Sequence, residues 1–144
     1  MNFREITQAD IDYCAENGLY ARKYANDEEP LSLGWTLEHR NDVLAIGGFL
    51  FITNTTAWAW IELSQASKQY VLESYRVIKE WMEIACEEKK IVRLQAWVDP
   101  EFEAAIRTVE HLGFFRESTM RDFLGKGKPA FLYVKLFQQD NEVK

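Results

Sequence analysis

The chain has 144 residues and a formal net charge of −6, from 17 basic and 23 acidic side chains. At this length we expect a single domain over residues 1–144, since domains cluster near ~100–150 residues. The composition is 47% apolar and 14% aromatic, enough for a packed core, which excludes a disordered chain. The acidic balance argues against nucleic acid as a ligand, because phosphate binding needs a concentrated field of Lys and Arg.

The cysteines and the apolar runs indicate an intracellular protein. Cys14 and Cys86 are too few for a disulfide scaffold, so we expect buried apolar residues in a reducing compartment. The longest nearly apolar run, residues 43–52, is about half a membrane span. No apolar run of signal-peptide length lies in the first twenty residues. We therefore expect no membrane span and a cytoplasmic location.

The first forty residues predict a strand followed by helices. Residues 1–6 form a short strand candidate, and Thr7 with Asp10 resembles a capping box at the start of a helix. Gly18 offers a stop for that helix. The stretch 19–40 contains a turn-like acidic patch and then apolar residues, and we expect a second short helix there. The apolar residues are Leu31, Leu33, Trp35 and Leu37.

The middle of the chain predicts two strands. Residues 43–52 are strand-like and interrupted by Gly47-Gly48, which indicates a bulge or a close backbone approach. Residues 53–56 have turn chemistry. Residues 57–63 alternate strictly, so that Trp58, Trp60 and Glu62 share one face.

The second half predicts alternating helices and strands. Ser67 is expected to cap a long helix with apolar residues at helical spacing, and residues 91–98 read as a strand. Asp99-Pro100 is the expected start of the next helix, and Gly113 is its expected stop. Residues 114–119 and 131–137 are the last two strands. The helix that starts at Asp99-Pro100 should bury one stripe of apolar residues. These are Phe102, Ala105, Ile106, Val109 and Leu112.

The segment 57–115, with its closing Leu112-Gly113-Phe114, resembles the GCN5-related N-acetyltransferase (GNAT) family. That resemblance implies an α/β fold in which helices flank a central mixed sheet. It also implies acetyl-CoA as the cofactor, lying in a splay between the strands 57–63 and 91–98. Leu44-Ala45-Ile46-Gly47-Gly48 and Arg121-Asp122 resemble the small phage-borne branch of the fold, which includes internal virion proteins of podophages. For a phage-encoded protein, the expected location is the bacterial host cytoplasm or the virion.

The resemblance also locates a cofactor loop, which departs from the family pattern. The pattern is Arg or Gln, two spacers, Gly, one spacer, and then Gly or Ala, because small residues let a diphosphate approach the start of a helix. Gln65 matches the first position, whereas Lys68 and Tyr70 occupy the two small ones. Either the loop still binds phosphate through Ser64, Gln65, Ser67 and Lys68, or the cofactor has been lost.

The sequence contains only some of the residues that acyl transfer requires. Acyl transfer to an amine needs a base for the amine proton and an acid for the leaving thiolate. By the resemblance, Glu62 is the candidate base, and its other interpretation is an exposed strand residue. The family's usual acid, a tyrosine, corresponds to Val109, and its usual helix-opening asparagine corresponds to Phe102. Both replacements are apolar.

Two functions therefore remain open at this stage. The first is a divergent CoA-dependent N-acyltransferase with an unknown acyl acceptor. The second is a non-catalytic protein on the same fold with a virion-structural or host-interaction role. The tryptophans Trp58, Trp60 and Trp97 line either an acceptor or partner groove or the ordinary core. No cluster of His and Cys residues indicates a metal site.

Overall fold

The computed structural model describes residues 1–19 and 34–137. They form a seven-stranded sheet with the strand order β1-β2-β3-β4-β5-β7-β6, together with three α-helices and one 3-10 helix. The predicted α/β architecture, a mixed sheet flanked by helices, is confirmed. The elements in chain order are β1 Asn2–Glu5, α1 Gln8–Asn17, β2 Gly34–His39, β3 Asp42–Phe51, β4 Thr56–Leu63, the 3-10 helix Gln65–Tyr70, α2 Val71–Lys89, β5 Arg93–Val98, α3 Glu103–His111, β6 Phe115–Met120 and β7 Ala130–Leu136.

The chain forms two compact units. The N-terminal unit consists of Met1–Leu50 and Ala59–Ile78, and the C-terminal unit of Phe51–Trp58 and Lys79–Lys144. The expectation of a single domain over residues 1–144 stays a prediction.

In the N-terminal unit, a buried carboxylate joins β1, α1 and β2. Asp10 receives two hydrogen bonds from Arg4, at 2.8 and 2.9 Å, one from the Thr7 backbone N–H and one from the Thr36 hydroxyl. Burial by itself raises the pKa of Asp10, but the bonds from Arg4, Thr7 and Thr36 outweigh it and hold that pKa well below its usual range. The Thr7 side chain in turn accepts from the Asp10 N–H, so the predicted capping box is confirmed.

β2 corrects the prediction of a second short helix. Residues 34–39 are extended and pair antiparallel with β1 on one side and with β3 on the other. Trp35 and Leu37 are two residues apart, which is the period of a strand, and two neighbouring strands are present to satisfy the backbone. The remainder of the expected helix falls on residues 20–33, which lie outside the described residues.

Of the two alternatives predicted for Gly47-Gly48, the close backbone approach is confirmed and the bulge is not. Gly47 pairs regularly with Trp35, and a Cβ on Gly47 would lie 2.8 Å from the Trp60 carbonyl oxygen of β4. The bulge lies instead at Leu44, because Leu37 pairs with Ala45 while the next residue of β2 pairs with Val43.

In the C-terminal unit, α3 begins later than predicted. Its first residue is Glu103 and Phe102 is its N-cap. Asp99 makes a separate turn before the helix, since its carboxylate accepts from the Glu101 N–H at 2.9 Å and its carbonyl accepts from the Phe102 N–H at 3.0 Å. The side chain that was expected to cap α3 is therefore used one turn earlier.

The far end of α3 is held by a buried lysine. Lys135 of β7 donates to the Leu112 carbonyl at 2.8 Å and to the Glu83 carboxylate of α2 at 3.2 Å. A cation on the last carbonyls of a helix also complements the helix dipole.

Val109 and Leu112 are buried as predicted, whereas Phe102, Ala105 and Ile106 are only half-buried.

Both cysteines are buried, as predicted. In the C-terminal unit, burial raises the pKa of the Cys86 thiol to about 12, and the positive charge of Lys135 opposes part of that rise. Cys86 is therefore protonated at neutral pH and packs as an apolar side chain.

Gly113→Ala should destabilise the protein more than Gly127→Ala. Both glycines have positive φ, +95° and +75°, but a Cβ on Gly113 would also lie 2.8 Å from the Lys135 ammonium, whereas nothing lies within 4 Å at Gly127. We expect about 1 kcal/mol for the backbone term at each site and a further loss at Gly113. Urea unfolding of the two variants measures the difference, and equal losses would contradict the role given to Lys135.

The Asp10 carboxylate should make the free energy of unfolding depend on pH in the acid range. Because its folded pKa is depressed, the stabilisation is complete above the unfolded value of about 3.9 and is lost as the pH falls further. Asp10→Asn should cost about 1.5–3 kcal/mol at neutral pH and flatten the fall in unfolding free energy below about pH 4. Urea titrations across that range measure both, with Asp12→Asn, an exposed acid of the same helix, as the control.

Candidate functional site

The predicted base lies at the end of β4. Glu62 is the penultimate residue of the strand and is half-buried. Alternation along β4 puts it on the same face as Trp60, which packs against the small core of Ile6, Cys14 and Ile46. The structure therefore assigns Trp60 to the core, which is one of its two sequence interpretations.

Ser64 marks the point where β4 stops. Its N–H donates to the Leu44 carbonyl at 2.9 Å, and its hydroxyl donates to the Val43 carbonyl at 2.6 Å, both on the bulged part of β3. The side chain is fully buried. Its hydroxyl hydrogen thus satisfies a backbone acceptor of the same unit.

Ser67 does not cap α2, which corrects the sequence prediction. It lies inside the 3-10 helix, and α2 begins four residues later at Val71. The buried Ser67 hydroxyl donates to the Ser64 carbonyl at 2.8 Å, and the Ser67 N–H donates to the same oxygen at 3.1 Å. The two serines thus form a chain of hydrogen bonds that leads from β3 into the helical segment.

Gln65 connects the same segment to the end of α1. Its side-chain amide donates to the Gly18 carbonyl at 3.0 Å, and the Leu19 N–H donates to the Leu63 carbonyl at 2.8 Å. Gly18 and Ser64 form an antiparallel bridge. Of the residues predicted to bind the cofactor, Ser64, Gln65 and Ser67 therefore all make structural bonds.

Lys68 and Tyr70 occupy the two positions where the family pattern has small residues. Lys68 is exposed on the 3-10 helix. Tyr70 is half-buried and packs edge-on against His39 at the end of β2, with ring centroids 4.9 Å apart and an interplanar angle of 80°. Sequence reasoning missed the contact with His39, because the two residues are far apart in the chain.

The site combines a helix start, an exposed ammonium and a carboxylate in the N-terminal unit. The Ala66 N–H has no acceptor within the 3-10 helix, because the first intrahelical bond is donated by Ser67. Together with Lys68 it suits an anion. The serine hydroxyls donate to carbonyls, so a diphosphate would be held by the backbone and Lys68. These groups fit a CoA diphosphate in charge and donor type.

The C-terminal unit offers no acid at the family's tyrosine position. Val109 is buried and apolar. The phenol of Tyr133 donates to the Glu110 carboxylate at 2.9 Å, and burial, followed by that bond, raises the pKa of Tyr133 to about 12. This phenol is therefore engaged in a structural hydrogen bond.

Two further classes of site are absent from residues 1–19 and 34–137. No group of three or more His, Cys, Asp or Glu side chains there is arranged to hold a metal ion. None of the helices in the described part of the chain has the length and apolar character needed to cross a membrane.

Solved structures similar to this one are acetyltransferases. The ribosomal-protein-alanine N-acetyltransferase from Brucella melitensis superposes with a TM-score of 0.70 at 14% identity, over 95% of this chain and 100% of that one. The structure of yncA from Salmonella typhimurium with its cofactor acetyl-CoA gives 0.72 at 12% identity, over 98% and 96%. A spermidine N-acetyltransferase SpeG chimera from Vibrio cholerae and hSSAT gives 0.73 at 11% identity, over 94% and 96%.

These likenesses establish that the chain has the GNAT acetyltransferase fold. No family model matches the sequence, and no curated protein matches it. The resemblance of residues 57–115 to that fold is therefore confirmed by structure.

Ser64→Ala should lower the stability of the ligand-free protein. The substitution removes the Ser64 donor from the part-buried Val43 carbonyl, and loss of such a bond costs about 1–3 kcal/mol. Thermal and urea unfolding without any ligand measure the loss, and Ser118→Ala on the exposed strand β6 is the control. An unchanged stability of Ser64→Ala would contradict the structural role of this hydroxyl.

Proposed function

We propose that this protein is a CoA-dependent N-acyltransferase that binds acetyl-CoA at residues 64–70. The proposal is carried by the likeness, over nearly the whole chain, to acetyltransferases, two of them named as N-acetyltransferases and another solved with acetyl-CoA. The helical segment that starts directly after β4 supports it, because a helix start is suited to a diphosphate.

The residues of the N-terminal unit have separate roles in this proposal. The backbone at Ala66 and the Lys68 ammonium hold the diphosphate, while the bonds of Ser64 and Ser67 keep the helix start in place. Acetyl-CoA supplies an acyl group on a thioester. Glu62 accepts the proton that the acceptor amine loses on attack, directly or through a water molecule.

The departures from the family pattern define what is unusual about this site. The Lys68 and Tyr70 side chains replace small residues, and the Tyr70 ring lies against His39. Val109 replaces the acid, so the leaving thiolate takes its proton from solvent or departs as the anion. We expect slow turnover, since a positioned general acid or base contributes about 10²–10⁴-fold.

The acyl acceptor of this chain is a primary amine in this proposal. The Brucella melitensis neighbour acts on an alanine of a ribosomal protein and the SpeG chimera on spermidine, by their names. Each acceptor presents an amine, and a lone pair on nitrogen is what the attack requires.

A second candidate function is a non-catalytic protein on the same fold. It is favoured by one observation, that Ser64, Gln65 and Ser67 all use their side-chain donors internally. In this alternative the protein is phage-encoded and has a virion-structural or host-interaction role. The phage origin is supported only by the resemblance of residues 44–48 and 121–122.

Thermal unfolding with acetyl-CoA distinguishes the two functions. At about 100 times its dissociation constant the ligand should stabilise the protein by about 2.7 kcal/mol, or roughly 5–10 °C in Tm. Lys68→Glu should abolish the shift, because it places a negative charge beside the diphosphate. Lys89→Glu, at the far end of α2, is the matched charge reversal and should keep it.

The rate of acyl transfer then tests Glu62. Glu62→Gln should keep the acetyl-CoA shift but lower the steady-state rate with amine acceptors by about 10²-fold or more. No thermal shift at millimolar acetyl-CoA would sink the acyltransferase and leave the non-catalytic function. A normal shift with an unchanged rate for Glu62→Gln would overturn the role of that carboxylate alone.

A further inference from the structure

His39 and Tyr70 form a ring contact in the N-terminal unit. His39 is the last residue of β2, Tyr70 is the last residue of the 3-10 helix, and both are half-buried. Their ring centroids lie 4.9 Å apart with an interplanar angle of 80°, which is the edge-to-face arrangement that aromatic pairs prefer. The contact therefore gives the Tyr70 ring a definite direction, toward the end of β2.

A tight turn holds His39 in place. His39 pairs with Asp42 across only two residues, Arg40 and Asn41, at the connection between β2 and β3. Arg40 and Asn41 have φ values of 53° and 71°, as in a type I′ turn, whose two central residues both have positive φ. Because this is the shortest common hairpin connection, the imidazole is presented from a well-defined position.

The helical segment that carries Tyr70 is fixed to the same end of β3. Ser64, directly before that segment, donates to the Val43 carbonyl at 2.6 Å and to the Leu44 carbonyl at 2.9 Å. Val43 is the residue directly after the turn between β2 and β3. Both rings are therefore carried by elements that are anchored at the first residues of β3, so their contact is preorganised.

Tyr70 is placed where a large side chain would obstruct the proposed cofactor site. It lies two residues after Lys68 and takes the last small position of the family pattern. Cα–Cβ bonds in a helix tilt toward its N-terminus, so a free tyrosine ring at residue 70 would sweep across residues 65–68. Side-chain atoms there keep a phosphate away from the backbone. Binding of a diphosphate therefore requires that the ring be held elsewhere.

We propose that His39 is a positioning residue for acetyl-CoA binding, a role that rests on the proposed function. His39 holds the Tyr70 ring aside, so that the diphosphate reaches the Ala66 N–H and the Lys68 ammonium. It acts through Tyr70 and does not touch the cofactor. The role needs an aromatic ring at residue 39 and needs no charge there.

Calorimetric titration of acetyl-CoA into the full chain tests this role. His39→Ala should weaken binding about two- to tenfold, the value of one aromatic pair. His39→Phe keeps a ring at the end of β2 and should bind within about twofold of the unsubstituted chain. His111→Ala, which removes the other histidine of the chain, is the matched control and should leave the affinity unchanged.

The effect of His39 should disappear when residue 70 has no ring. In a Tyr70→Ala background, His39→Ala should change the affinity by less than about twofold, because no side chain then has to be held aside. The double variant should also bind acetyl-CoA more tightly than His39→Ala alone. A merely structural role of His39 would give the same loss in both backgrounds.

The ligand-free protein gives an independent measurement of the contact. The imidazole C–H resonances of His39 should shift in Tyr70→Leu, because the aromatic ring with its centroid 4.9 Å away is removed. Tyr13→Leu, which removes an exposed tyrosine of α1, should leave them unchanged. Unaltered His39 resonances in Tyr70→Leu would overturn the proposal without any cofactor.

The titrations distinguish failure of this role from failure of the proposed function. No saturable binding of acetyl-CoA to the unsubstituted chain would overturn both. Binding by the unsubstituted chain with equal affinity in His39→Ala would overturn the role of His39 alone. A loss in His39→Phe equal to that in His39→Ala would do the same, since charge and not the ring would then be responsible. So would a loss that persists in the Tyr70→Ala background.

Discussion

The two hydrogen bonds from Ser64 to successive carbonyls of β3 are the constraint on which the candidate site depends. They lie directly after the last residue of β4, and both acceptors belong to the bulged part of β3 at Val43 and Leu44. Ser67 then donates to the Ser64 carbonyl, so the helical segment begins beside this anchor. The distance along the chain from Glu62 to the start of the helix is set by this anchor.

The same anchoring explains why the loop can depart from the family pattern. A loop of small residues depends on its backbone to reach a phosphate, and side chains are normally excluded from it. Here the side chains are present but directed into the N-terminal unit, where Gln65 binds Gly18 and Tyr70 packs against His39. Lys68 is left exposed at the helix start. A cationic side chain therefore lies at a position where the family pattern lets a phosphate approach the backbone closely.

Buried charges organise each unit in a similar way. Asp10 gathers donors from β1, β2 and the start of α1, and Lys135 joins the end of α3 to α2. In both cases a desolvated charge is held by two or more hydrogen bonds, and such bonds are the condition under which burial is tolerated. Both charges sit at helix ends, where they complement the helix dipole. The units are therefore held by helix ends as well as by the sheet.

Local patterns in the sequence were sufficient for most elements. The capping box at Thr7, the alternation in β4 and the stop at Gly113 depend on neighbours within a few residues, and all three are confirmed. The resemblance over residues 57–115 likewise predicted the fold. These features need no knowledge of distant contacts, because the hydrogen bonds or periodicities that define them are local.

Tertiary contacts decided the rest. Residues 34–39 form a strand because β1 and β3 offer hydrogen bonds on both sides, and Ser67 lies inside a 3-10 helix because Ser64 is bound to β3, 21 residues earlier in the chain. The rings of Trp58 and Trp97 likewise lie near Phe123, which comes from a third segment of the chain. The sequence by itself determined where strands and helices are favoured. Only the folded chain decided which side chains are used internally, since a hydroxyl or amide binds whichever acceptor the fold brings within reach.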